Sequence, residues 1–89
     1  MTKTFIFDES SYKWEKDMDL NHYTLIQTFR RFTRSIECRG YIYLNQVYEG
    51  IGMNWNPDYE NVCFRKENGP VKFDYELTDF NTYRIIITQ

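Results

Sequence analysis

Large apolar side chains at Leu25, Phe29, Phe32 and Ile36 recur at steps of four, three and four, and no other feature of the chain restricts its fold so tightly. That spacing gathers all four on one stripe of a helix. The helix is expected from about His22 to Arg39, with Asp19 or Asn21 accepting the first free amide hydrogens and Gly40 ending it in the left-handed conformation. Gln27, Arg30, Arg31 and Arg34 fall on the opposite side. Burying each apolar side chain is worth ~1.5–3 kcal/mol, whereas an exposed charge pair contributes ~0.3–0.5 kcal/mol. The stripe therefore faces inward and the arginines stay in water.

Such a helix needs a surface to cover, and the flanking segments supply it. In "KTFIFD", residues 3–8, Phe5 and Phe7 alternate as on one face of a strand, and the polar, acidic stretch that follows reads as a loop with a helical turn near Trp14. Further on, a two-residue turn at Asn68 and Gly69 would set Phe64 opposite Phe73 and Val62 opposite Tyr75. It would also oppose Arg65 to Lys72, with Asp74 as a diagonal partner. A three-residue turn at Asp79, Phe80 and Asn81 would pair Leu77 with Tyr83, Tyr75 with Ile85 and Phe73 with Ile87, leaving Glu76 beside Arg84 on the outer face. Between helix and meander, Tyr41 to Leu44 reads as a short strand, Asn45 as a helix cap, residues 46–51 as a short helix presenting Val47 and Ile51, and Gly52 as its stop.

These elements amount to an α+β domain: an antiparallel sheet of four to five strands, one long amphipathic helix packed on one face, and a short second helix. It is a single domain, because 89 residues bury only ~60–65% of their unfolded surface and hold one core.

The sequence carries no catalytic or cofactor signature. Asp17, Asp19 and Asn21 imitate the first ligands of a calcium loop, but His22 stands where glycine is required and Thr28 where the closing glutamate belongs. One histidine with Cys38 and Cys63 far apart forms no zinc spacing, so a partly buried structural His22 and two idle thiols are expected. Neither a nucleophile elbow nor a phosphate-binding glycine loop is present. A non-enzymatic protein without metal or cofactor is the expectation. No apolar run approaches the ~20 residues of a bilayer span, and the N-terminus lacks a signal-peptide pattern, which leads to a cytoplasmic expectation with no membrane partner.

Aromatic content and charge placement say more. Eight Tyr, seven Phe and two Trp exceed what one small core absorbs, and exposed Tyr and Trp are the side chains most enriched at binding hot spots. Residues 1–20, 21–40, 41–61 and 62–89 carry net charges of −2, +3, −3 and zero. The acidic stretch ends in "MNWNPDYEN", where Trp55 and Tyr59 stand among Asn54, Asn56, Asp58, Glu60 and Asn61 around the stiffening Pro57. Two roles are open for it: a lid over one end of the core, or a docking loop. Both hold at once if Trp55 packs inward while Tyr59 and the acids point out. The basic stretch offers a second surface, Arg30, Arg31 and Arg34, suited to phosphates, although a solvated helix face explains the same residues.

"GYIYLNQVYEGIGM", followed by "VKFDYEL" and a closing strand, resembles small proteins encoded by bacteriophages and prophages of low-GC Gram-positive bacteria. The resemblance spans roughly residues 25–89 and rests on Leu44, Asn45, Tyr48 and Gly52, scaffold positions that transfer no binding residue. The loop after Gly52, rich in Asn and carrying Trp55, departs from that pattern. The resemblance implies a phage accessory protein in the host cytoplasm, of the kind that inhibits a host defence nuclease as anti-CRISPR proteins do. Such inhibitors set acidic and aromatic side chains against a basic nucleic-acid groove. On this reading Trp55 and Tyr59 anchor, Asp58 and Glu60 meet basic groups, and Asn54 and Asn56 hydrogen-bond. The alternatives are a small nucleic-acid-binding protein using the arginine face, or a self-assembling phage structural component if Tyr41, Tyr43 and a sheet edge are exposed.

Overall fold

The apolar stripe is where the structure, a computed structural model describing Met1–Gln89, concentrates its packing. Helix α1 spans Met18–Arg39 and buries Leu25, Phe29, Phe32 and Ile36, while Arg30, Arg31 and Arg34 are exposed. It starts a full turn earlier than the apolar repeat implies. Its cap is Asp17, whose carboxylate accepts the N–H groups of Asp19 and Leu20, rather than Asp19 or Asn21. The reason is that Asn21 is needed elsewhere. Fully buried, it donates to the Glu15 carbonyl at 2.7 Å and accepts the Glu15 N–H at 2.8 Å, pinning the preceding loop to the helix. Gly40 ends α1 at φ 86°, as its position in the sequence requires.

Strand β1 covers Thr2–Phe7, β2 Tyr41–Tyr43, β3 Cys63–Arg65, β4 Lys72–Leu77 and β5 Tyr83–Thr88, and the short helix α2 covers Leu44–Gly50. The fold is α+β with antiparallel pairing throughout, and its five strands divide into two sheets. The main sheet has the order β1-β5-β4, and β2 pairs with β3 apart from it. The β4–β5 hairpin has the expected register, Leu77 opposite Tyr83, Tyr75 opposite Ile85 and Phe73 opposite Ile87, with Glu76 ion-paired to Arg84. Its three-residue turn closes with the Asn81 N–H on the Thr78 carbonyl at 3.2 Å and Asn81 at φ 58°, a conformation that asparagine tolerates better than other side-chain-bearing residues.

The hairpin expected at Asn68 and Gly69 does not form. Lys66–Asn68 coil into a 3-10 turn, and Phe64 lies opposite Ile42 of β2 rather than Phe73. Arg65 accordingly faces Tyr41 and Lys72 faces Thr88, so the like-charge opposition of Arg65 and Lys72 disappears. Gln89 helps to hold this arrangement by donating to the carbonyls of Arg65 and Gly69.

Both helices cover the same face of the main sheet. Phe29 stacks on Phe73 at 5.8 Å and Phe32 approaches Phe73 at 5.5 Å, while Tyr48 of α2 meets Phe5 of β1 edge-on at 4.8 Å. Where the helices touch, Gly50 lets them approach closely, because an added Cβ would sit 2.6 Å from the Phe32 ring and force it to shift. The interior combines Phe7, Leu25, Leu44, Val47, Ile51, Phe64, Ile85 and Ile87, all essentially inaccessible. No helix is long and apolar enough to cross a membrane.

Candidate functional site

Helix α2 and the loop behind it form a braced platform. The helix leaves β2 directly at Tyr43, whose N–H is accepted by Gln46 Oε1 at 2.9 Å. Its far end closes with the Gly52 N–H on the Glu49 carbonyl at 3.0 Å and the Met53 N–H on the Tyr48 carbonyl at 2.8 Å, a double closure that needs the left-handed φ of 85° at Gly52. The N-terminal loop takes up the remaining carbonyls. Ser11 Oγ donates to Ile51, the Tyr12 N–H to Gly52 and Lys13 Nζ to Gly50. Burial lowers the Lys13 pKa from its ordinary range, and the nearby Arg31 guanidinium lowers it further.

Asn45 is not a helix cap. It lies inside the first turn of α2, 5% exposed, where its Nδ2 donates to the Asn56 carbonyl and its Oδ1 accepts the Asn56 N–H, both at 2.9 Å. Asn56 in turn caps the 3-10 turn Pro57–Tyr59 by accepting the Asp58 N–H at 2.9 Å. One buried amide thus holds the whole loop against α2. It is the counterpart of Asn21 in α1.

The two aromatics of the loop part company, in the reverse of the arrangement that would make it lid and docking loop at once. Trp55 is 48% exposed, whereas Tyr59 turns in against Tyr48, edge-on at 5.4 Å, with Lys3 Nζ 5.8 Å from its ring centroid. The clamp on Asn56 explains this: it aims the neighbouring Trp55 outward, and the turn after Pro57 carries Tyr59 back to the core edge. Burial, together with the hydrogen bond to Tyr59 and charge interaction with it, pushes the Tyr48 phenol up to about 12.

What results is a groove of about 420 Å³ between α2 and the loop, walled by Tyr43 and Trp55 and bordered by Gln46, Glu49, Glu60 and Asn61. Of the residues named from sequence, Trp55 and Glu60 line it. Asn54 and Asp58 are exposed on the loop, Asn56 is tied up by Asn45, and Tyr59 is withdrawn. Tyr43, Gln46 and Glu49 join Trp55 and Glu60 from the α2 side, where their three-residue spacing marks the polar face of the helix. Residues 41–61 contain Glu49, Asp58 and Glu60 and no Lys or Arg, and the only ion pair in the molecule is Glu76–Arg84. None of the three carboxylates is in an ion pair, although Lys13 Nζ lies on the Gly50 carbonyl next to Glu49.

A larger concavity of about 620 Å³ opens at the β4–β5 turn over Ile6, Leu77 and Phe80, bordered by the Glu76–Arg84 ion pair and by the carboxylates of Asp8 and Asp79. The arginines do not converge. Arg30 and Arg34 border a groove beside β4 together with Glu37, whereas Arg31 lies on the other flank of α1 with Arg39 and Gln46. His22 is exposed, its ring nitrogen 2.5 Å from Tyr75 Oη, and Cys38 and Cys63 are free thiols. No three His, Cys, Asp or Glu side chains are grouped to hold a metal ion. Comparison with protein-family models, with curated proteins and with solved structures finds no match.

Proposed function

We propose that this protein is a non-catalytic binding module that docks the α2 groove onto a basic protein surface, as a phage-encoded inhibitor of a host defence nuclease would in blocking a nucleic-acid-binding groove. The observation that supports this most is the union, on one braced platform, of two exposed aromatic rings with three carboxylates that are in no ion pair. Aromatic anchors supply contact area at small cost in side-chain entropy, and acids free of ion pairs steer a cationic surface into place. A loop already held by Asn45 loses little further freedom on docking. The dispersal of Arg30, Arg31 and Arg34 over two flanks of α1 favours this reading over direct nucleic-acid binding.

The test is a displacement assay with RNA-guided nucleases, recording target-DNA binding by mobility shift as the protein is added. The wild-type chain is expected to release the DNA, and Trp55→Ala or Glu49→Gln with Glu60→Gln to lose at least ~10-fold in potency while remaining folded. Folded variants that inhibit as well as wild type would refute the surface assignment. A wild-type chain that displaces nothing, yet shifts DNA by itself in a salt-dependent way, would favour the arginine face instead.

A further inference from the structure

The splitting of the sheet leaves β4 with β5 on one side and no strand on the other. Because the Thr78 N–H bonds to the Thr82 carbonyl, the even-numbered residues of β4 are the ones that exchange hydrogen bonds with β5, and the backbone groups of Phe73 and Tyr75 point outward. The outward Tyr75 N–H is held only by the neighbouring Asp74 carboxylate, at 2.9 Å. Alongside this edge runs an open groove of about 510 Å³ between β4 and α1, floored by the half-buried rings of Phe73 and Tyr75 with Ile26, and rimmed by exposed Arg30 and Arg34. An unpaired edge beside an apolar seam is a template for another strand.

We infer that the occupant is β4 of a second copy, and that the protein forms a two-fold dimer with a continuous six-stranded sheet. Charge selects both partner and register. Antiparallel pairing centred on Phe73 sets Lys72 of each copy opposite Asp74 of the other, two reciprocal ion pairs, with Phe73 against Phe73 and Val71 against Tyr75. Centring on Asp74 would put two carboxylates face to face, and centring on Tyr75 would oppose Asp74 to Glu76 twice. In the selected register the Tyr75 N–H passes from Asp74 to the Val71 carbonyl of the second copy, which frees that carboxylate for Lys72. The α2 groove lies at the other end of the sheet, since Tyr48 packs on β1, so the dimer carries two docking faces, one at each end.

The test is sedimentation equilibrium of wild type, Lys72→Asp, Asp74→Lys and an equimolar mixture of the two variants. Both positions are exposed, and circular dichroism checks that each variant is folded. Wild type is expected at twice the 11.0 kDa chain mass below about 1 mM. Each variant alone opposes like charges and should dissociate at least ~10-fold more readily, while the mixture restores both ion pairs and recovers wild-type association. A wild-type chain that stays at 11.0 kDa up to about 1 mM overturns the inference. So does either a variant that dimerises like wild type or a mixture that fails to recover.

Discussion

Replacing Asn45 separates two physical roles that look alike in sequence. As a helix cap, Asn45 would be exchangeable with Ser at little cost, because both side chains cap well, and its loss to Ala would cost ~1 kcal/mol. As the clamp seen here, it makes two hydrogen bonds of 2.9 Å to the Asn56 backbone from a site that is 5% exposed. Each such bond contributes ~0.5–1.5 kcal/mol, and the half-buried Asn56 groups left without partners add to the penalty unless the loop swings out to water. Asn45→Ala and Asn45→Ser should therefore both destabilise by about 2–3 kcal/mol, since a serine hydroxyl cannot span the distance or donate and accept in the same plane. For a domain of this size that lowers the melting temperature by roughly 8–20 °C. Urea unfolding gives the free energies, and amide hydrogen exchange at Asn56 and Asp58 should quicken in both variants. If Asn45→Ser unfolds within about 0.5 kcal/mol of wild type, the clamp does not hold the loop and the reasoning fails.

Three further outcomes follow from the packing, the pKa shift and the cap. Gly50→Ala drives a methyl group into the Phe32 ring and is expected to cost about 1–3 kcal/mol in urea unfolding, although alanine is the better helix former. The folded state holds the Tyr48 phenol above its ordinary 10.0, at about 12, so this contribution is complete below about pH 10 and is lost as pH rises toward 12; Tyr48→Phe should flatten the alkaline fall in the urea midpoint over that window. Asp17→Ala should lower stability by about 1 kcal/mol, and Asp19→Ala by only a few tenths through the helix dipole; equal losses would argue against Asp17 as the cap of α1.

What could be read in the candidate site followed the range of the forces involved. The acidic, aromatic character of residues 41–61 was visible, because charge and ring content belong to composition. Which rings face out was not. Trp55 and Tyr59 are equally suited to either position, and the choice fell to hydrogen bonds between Asn45 and Asn56, eleven residues apart. The contribution of Tyr43 and Glu49 became apparent only once α2 had been laid beside the loop.

The same division runs through the fold. Helix α1, the stop at Gly40 and the β4–β5 register were determined locally, since the apolar period, a glycine and a three-residue turn each act within a few residues of themselves. Tertiary structure alone decided the partner of β3. Phe64 and Val62 alternate as well for one neighbour as for another, and pairing with β2 became the better choice once the chain after Arg65 coiled into a 3-10 turn and Gln89 fastened that turn to the end of β5. Strand alternation specifies a face but not a neighbour, so the open edge of β4 could not be foreseen from the residues that compose it.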